Sequence, residues 1–342
     1  MKKSGSKWLI ISVSSSFLFS PLTLASPMDW TFLGSNSRIS IDLSSRVNSD
    51  LEAHDSSFLH VLGADIHKVF SSNTADIGTL ILQPYIVKLH NVNDPSFVFD
   101  DGDDTKLTWR VANFNYTALN QGKFNIRIGH FEVPYGLEYQ VDTNGTLHQL
   151  TADQRGIKAD WGFSVNGIMP RFEYEVALTR GSGIELRRKD NPHLFSGRVG
   201  TLSNKNTVLG ISWLTGDVLA TNGVIERKNI GLDASYYYYQ WQFMAESSIG
   251  KVSGNNTING FVELLWRNAK EDLSVYTQVD YKRAEINYEV SSKSDSTSYW
   301  TAGVQWGSDD GFDISAQYKQ KLKEAEGGNI DPTLSLQLRY RM

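Results

Sequence analysis

The 342-residue chain has no cysteine. That excludes a disulfide framework and thiolate metal sites, and leaves the fold to depend on closed backbone hydrogen bonding. Beyond the N-terminus there is also no apolar run near the ~20 residues that a membrane-crossing helix needs. The mean hydropathy is negative, which ordinarily marks a soluble chain, but strands that alternate apolar and polar residues cancel in any window average. A basic surplus is missing too. The formal charge is −5, and it falls to about −8 without the three N-terminal lysines, which disfavours nucleic acid as a partner.

At the N-terminus, Lys2, Lys3 and Lys7 precede an apolar run from Trp8 to Phe19, and Thr23-Leu24-Ala25 offers small residues for cleavage. This is the layout of an export leader over residues 1–25. The run is too short, and too interrupted by Ser12, Ser14, Ser15 and Ser16, to serve as a helical anchor. Residues 26–36 form a short periplasmic segment, too small to fold as a plug or separate domain.

From Ser37 to Met342 the chain reads as about sixteen alternating strands. In the last of these, Leu334, Leu336, Leu338 and Tyr340 share one face, while Ser335, Gln337, Arg339 and Arg341 share the other. The same period of two runs through Phe312 to Lys319, Leu273 to Lys282, Ile157 to Val165 and Arg171 to Leu178. A soluble sandwich would turn the apolar face inward, and a membrane barrel would turn it to lipid. The connections favour the barrel. Short links such as Met169-Pro170 and Gln240-Trp241 follow even strands. Longer ones follow odd strands, including Asn48–Asp55, Asn91–Lys106, Pro134–Arg155, Gly181–His193, Asp217–Arg227, Ser253–Thr257, Glu285–Ser298 and Glu324–Pro332. The expected fold is therefore an all-β, transmembrane antiparallel barrel with short periplasmic turns and longer extracellular loops, placed in the outer membrane. Trp241, Trp266, Trp300, Trp306, Tyr318 and Tyr340 near strand ends on the outer face fit interfacial anchoring.

The segment Arg127-Ile-Gly-His-Phe-Glu-Val-Pro-Tyr-Gly-Leu-Glu138 resembles the strand-to-loop segment of the phosphate-selective porin O and P family. The resemblance covers about a dozen residues, with the sixteen-strand layout as secondary support. It implies a trimeric, water-filled outer-membrane channel narrowed by its third extracellular loop, which here is Pro134–Arg155. Repeated arginines on lumen strands are absent, so phosphate preference is not carried over. The C-terminal strand is similar to the assembly signal of outer-membrane barrels, although Met342 stands where a final Phe is usual.

Alternation nominates the lumen charges. A basic wall would be formed by Arg38, Arg46, Lys123, Arg127, Lys158, Lys319, Arg339 and Arg341, from strands one, five, six, fifteen and sixteen. The acidic candidates are Glu173, Glu175, Asp233, Glu246, Glu263 and Asp280. On the constriction loop stand Glu138, Asp142, His148, Asp153 and Arg155. Opposed basic and acidic sides would set a transverse field that orients polar solutes. Asp100–Asp104 lacks the ligand spacing of a calcium loop, and Arg187-Arg188-Lys189 is a basic loop able to meet lipopolysaccharide phosphates.

The chain has seven histidines but no His-Glu-x-x-His run, Gly-x-Ser-x-Gly elbow or Walker-type loop. The expected function is passive diffusion of small polar solutes or ions rather than catalysis, with no cofactor or metal. Outer-membrane lipid and lipopolysaccharide would surround a homotrimer. A hydrolase site assembled across strands and a non-conducting adhesin barrel are the alternatives.

Overall fold

The computed structural model describes residues 36–72, 76–92, 99, 102–150, 155–184, 186, 191–220, 223–287, 292–323 and 332–342. Residues 1–25, expected to be a leader, the segment 26–35, Asp100, Asp101, Asp153 and Arg187–Lys189 lie outside them. Sixteen strands follow in order: β1 Ser37–Asp50, β2 Asp55–Ser71, β3 Asp76–His90, β4 Thr105–Tyr116, β5 Asn125–Glu132, β6 Ala159–Ile168, β7 Glu173–Thr179 and β8 Leu194–Gly200. The second half comprises β9 Thr207–Ala220, β10 Gly223–Tyr238, β11 Trp241–Val252, β12 Asn255–Arg267, β13 Leu273–Asn287, β14 Ser292–Gly307, β15 Phe312–Lys323 and β16 Thr333–Arg341. Each strand pairs antiparallel with its sequence neighbours. β1 closes on β16 from Asp42 opposite Arg341 to Asp50 opposite Thr333. Closure leaves no sheet edge, so the strands' backbone groups can be satisfied within lipid.

The burial pattern is inverted relative to a soluble protein. Along β16, Leu334, Leu336 and Leu338 are exposed, while Ser335, Gln337 and Arg339 are buried. β9, β11 and β12 repeat it: Leu209, Ile211, Phe243, Ile249 and Val262 face out, and Ser212, Gln242, Glu246, Asn259 and Glu263 face in. Such an apolar exterior is stable only against lipid. The chain is thus an outer-membrane β-barrel that crosses the bilayer with all sixteen strands. Leu338→Arg, at the outward middle of β16, should cost about 2–4 kcal/mol. The check is a urea titration in detergent or lipid, followed by the mobility shift between folded and unfolded barrel.

Several strands exceed the ~9–11 residues needed to cross: β2 has 17, β10 and β14 have 16. This length corrects two expectations. Four connections expected to be long are close hairpins instead: β1 and β2 pair down to Asp50 opposite Asp55, β9 and β10 to Ala220 opposite Gly223, β11 and β12 to Val252 opposite Asn255, and β13 and β14 to Asn287 opposite Ser292. Pairing simply continues past the residues that alternation marks as the crossing, so the strands outrun the ends read from the sequence. For the same reason Trp300 and Tyr318, packed edge to face at 5.9 Å, stand in mid-strand. Trp241, Trp266, Trp306 and Tyr340 do gather at the short-turn rim.

β3 and β4 carry the irregular alternation of Leu80 to Ile86 and Val111 to Phe114. A register shift at Gln83/Pro84 resolves it. A bulge of this kind re-aims a side chain, and here it brings Arg110 against Tyr85, with the guanidinium 3.8 Å from the ring centroid.

Candidate functional site

The segment between β5 and β6, described except for residues 151–154, folds into the lumen rather than away from it. Its base is closed by the Val133 N–H, which donates to the Lys158 carbonyl at 2.9 Å. Val133, Tyr135 and Ile157 pack there with Leu194, Leu214 and Val218 of β8 and β9. Farther along, Leu137 and Leu150 pack on Met244, Phe261, Leu265 and Tyr276 of β11, β12 and β13. These last four occupy lumen-facing positions where water would otherwise meet apolar surface. Covering them stabilises the loop by about 1.5–3 kcal/mol for each large side chain buried.

Polar ties then fix the loop around most of the wall. The Gly136 N–H donates to Ser212 Oγ at 2.9 Å, and the Leu137 N–H to Glu246 Oε2 at 2.8 Å. His148 Nε2 lies 2.8 Å from Glu263 Oε1, and Gln278 Nε2 donates to the Gln149 carbonyl at 3.4 Å. Gln337 Nε2 donates to the Gly145 carbonyl at 2.6 Å, and Arg46 Nη2 to the Thr146 carbonyl at 2.8 Å. On β7, Glu175 accepts from the Tyr139 hydroxyl and Glu173 from the Gln140 amide. Burial, and then the charge of Glu175, raise the Tyr139 phenol above its ordinary range, so it remains a donor.

The lumen charges are arranged as local pairs. Arg127 lies 3.0 Å from Glu175, and Lys158 lies 2.7 Å from Glu138. Arg198 lies 2.5 Å from Asp233 and 3.8 Å from Glu173. The largest cluster spans the barrel seam. Asp42 of β1 accepts from Arg339 at 2.9 and 2.6 Å and from Arg110 at 3.3 Å, while Asp65 of β2 accepts from Arg341 at 2.6 Å. The Tyr85 hydroxyl donates to Asp65 at 2.6 Å and accepts from Arg110 at 2.7 Å. Its ring lies over Gly63, where a Cβ would sit 2.1 Å from Tyr85 Cδ1.

This geometry departs from the expected separation of a basic wall from an acidic loop: Arg127, Lys158, Arg198, Arg339 and Arg341 each sit within 3.0 Å of a carboxylate. Lys123 lies in the β4–β5 turn and Lys158 just before β6, so neither belongs to a strand as the alternation had it. Arg38, at the start of β1, is exposed, and Lys319 stands 4.4 Å from the Tyr299 ring centroid. Arg155 is 1% exposed and donates to the Val133 carbonyl at 3.4 Å, so it clasps the loop base. Glu138 is 2% exposed, whereas Asp142 faces solvent. Asp42, Asp65, Arg110 and Arg198 are lumen charges that the sequence reading missed. Three of the four obey plain alternation and were legible; Arg110 is aimed by the bulge and was not.

What remains open is a chamber of about 790 Å³ reaching toward the short-turn end. Its lining comes from β2 to β8 and from loop residues 139–144, among them His67, Gln83, Asn115, Arg127, Asn166 and Glu173.

No family model matches the sequence, and no curated protein matches it. Solved structures do match the fold. OprB of Pseudomonas putida aligns with a TM-score of 0.65 at 10% identity, over 90% of this chain and 94% of that one. An anion-selective porin from Comamonas acidovorans gives 0.63 at 10%, over 90% and 99%. OmpT, an outer membrane protein of Vibrio cholerae, in its trimer form, gives 0.58 at 9%, over 90% and 99%. At these identities the likeness is one of fold, a porin-like barrel.

Proposed function

We propose that this chain forms a water-filled outer-membrane channel for passive diffusion of small hydrophilic solutes and ions, as a homotrimer in lipid and lipopolysaccharide. One observation carries the reading: the β5–β6 loop is tied across the lumen to β1, β7, β9, β11, β12, β13 and β16, while a chamber with many polar lining residues stays open beside β2 to β8. A barrel built to be closed would fill that chamber; one built for unrestricted flow would not anchor a loop inside it. The resemblance of Arg127–Glu138 to the phosphate-selective porin O and P family supports a third-loop constriction and trimer. Phosphate preference forms no part of the proposal, because Arg127, Arg198 and Arg339 are already engaged by carboxylates. Catalysis is not proposed either, since Glu138, Glu175 and Glu263 serve to hold the loop or its neighbours.

Proteoliposomes containing the mature chain should swell in iso-osmotic arabinose and not in a large dextran. Swelling indistinguishable from protein-free vesicles in arabinose would overturn the proposal. Arg127→Gln should release Glu175 and move the zero-current potential under a potassium chloride gradient toward cation preference; an unmoved potential would remove this pair from the selectivity-setting groups.

A further inference from the structure

Carboxamides recur around the chamber's lining. Gln83 comes from β3, Asn113 and Asn115 from β4, Asn125 from β5, Asn166 from β6 and Asn144 from the loop. Three of them form a chain: Asn125 Nδ2 donates to Asn166 Oδ1 at 3.0 Å, and Asn166 Nδ2 donates to Asn115 Oδ1 at 3.2 Å. Asn113 Nδ2 is fixed on the His130 carbonyl at 3.2 Å, and Asn144 Nδ2 on Glu132 Oε1 at 2.8 Å. The orientations of these five asparagines are therefore set before any solute arrives.

We infer that this chamber is a weak binding site for neutral polyhydroxylated solutes of mono- to disaccharide size, which pass in preference to charged solutes of equal size. The inference rests on the channel reading above. A carboxamide offers a donor and an acceptor side by side, and so does a vicinal diol, so the pair exchanges hydrogen bonds with little loss as the solute sheds water. An amide carries no net charge, so it offsets an ion's larger desolvation cost only through its dipole, which makes entry of an ion comparatively costly. The charges lining the chamber are tied to one another or to neighbouring N–H groups: Arg127 to Glu175, Arg198 to Asp233 and Glu173, Glu132 to the Asn144 amide and Asp142 to the Asn144 N–H. A volume of about 790 Å³ lies within the range of small-molecule sites.

The test uses the full mature protein in liposomes and planar bilayers, with glucose, glucuronate and glucosamine as probes of one ring size and three charges. Glucose should enter severalfold faster than either charged analogue. It should also reduce potassium chloride conductance in a saturable way, and Gln83→Leu with Asn115→Leu should abolish that saturation. If all three sugars enter at one rate, or a charged one enters fastest, the inference fails while the channel stands. If the variant is not recovered as a folded barrel, the wild-type rate order alone decides. Absence of both swelling and conductance would instead overturn the channel reading.

Discussion

Replacing residues 136–155 by two glycines should yield a barrel that still folds and conducts several times more current per channel than the intact protein. Among the described residues of that stretch none belongs to a wall-to-wall strand pair, and Val133 and Lys158 already stand side by side at the loop base. The removed segment supplies Leu137 and Leu150 together with the ties to Ser212, Glu246, Glu263 and Gln337. Met244, Phe261, Leu265 and Tyr276 would then meet water, so the variant should unfold at lower denaturant concentration. Single-channel recording checks the first effect and a urea titration the second. Unchanged unitary current in a folded variant would mean that the loop does not narrow the path.

Asp42→Asn should produce the largest loss of stability from a single isosteric change, together with a shift of selectivity toward anions. Asp42 is 1% exposed and receives both Arg339, 5% exposed, and Arg110. Removing one partner of a buried pair leaves the other charge uncompensated, which costs about 3–5 kcal/mol in a dry interior. Water in the lumen lowers that to about 2 kcal/mol. The same deletion unmasks two guanidiniums at the seam, so the zero-current potential should move in the anion direction. Asp42→Asn combined with Arg339→Gln should recover part of both effects, because one of the two uncompensated guanidiniums goes with its partner while Arg110 stays. A stable single variant with wild-type selectivity would show that the seam cluster is neither structural nor part of the filter.

The alternation of β16, β15, β13, β7 and β6 was readable from the sequence because lipid penalises any charge on the outer face, and so was the seam between β1 and β16. The third loop was readable as well, by its length and by the segment that opens it. Strand ends were not, since β9 with β10 and β13 with β14 keep pairing in water, where neither face needs to be apolar. The inner face of a strand was more legible than the role of a residue on it. Arg127, Lys158, Arg339 and Arg341 point inward, yet their partners Glu175, Glu138, Asp42 and Asp65 follow from cross-strand register and loop path, which no single strand encodes. One signal was present and passed over. Met244, Phe261 and Leu265 break the polar rule at inward positions, and in a wet lumen such a break marks the footprint of something that covers it.

The most direct measurement is single-channel recording of the mature protein in a planar bilayer under symmetric potassium chloride. The account predicts discrete, ohmic steps, grouped in threes when whole assemblies insert. A barrel that inserts, resists urea as a folded species and passes no current would contradict it.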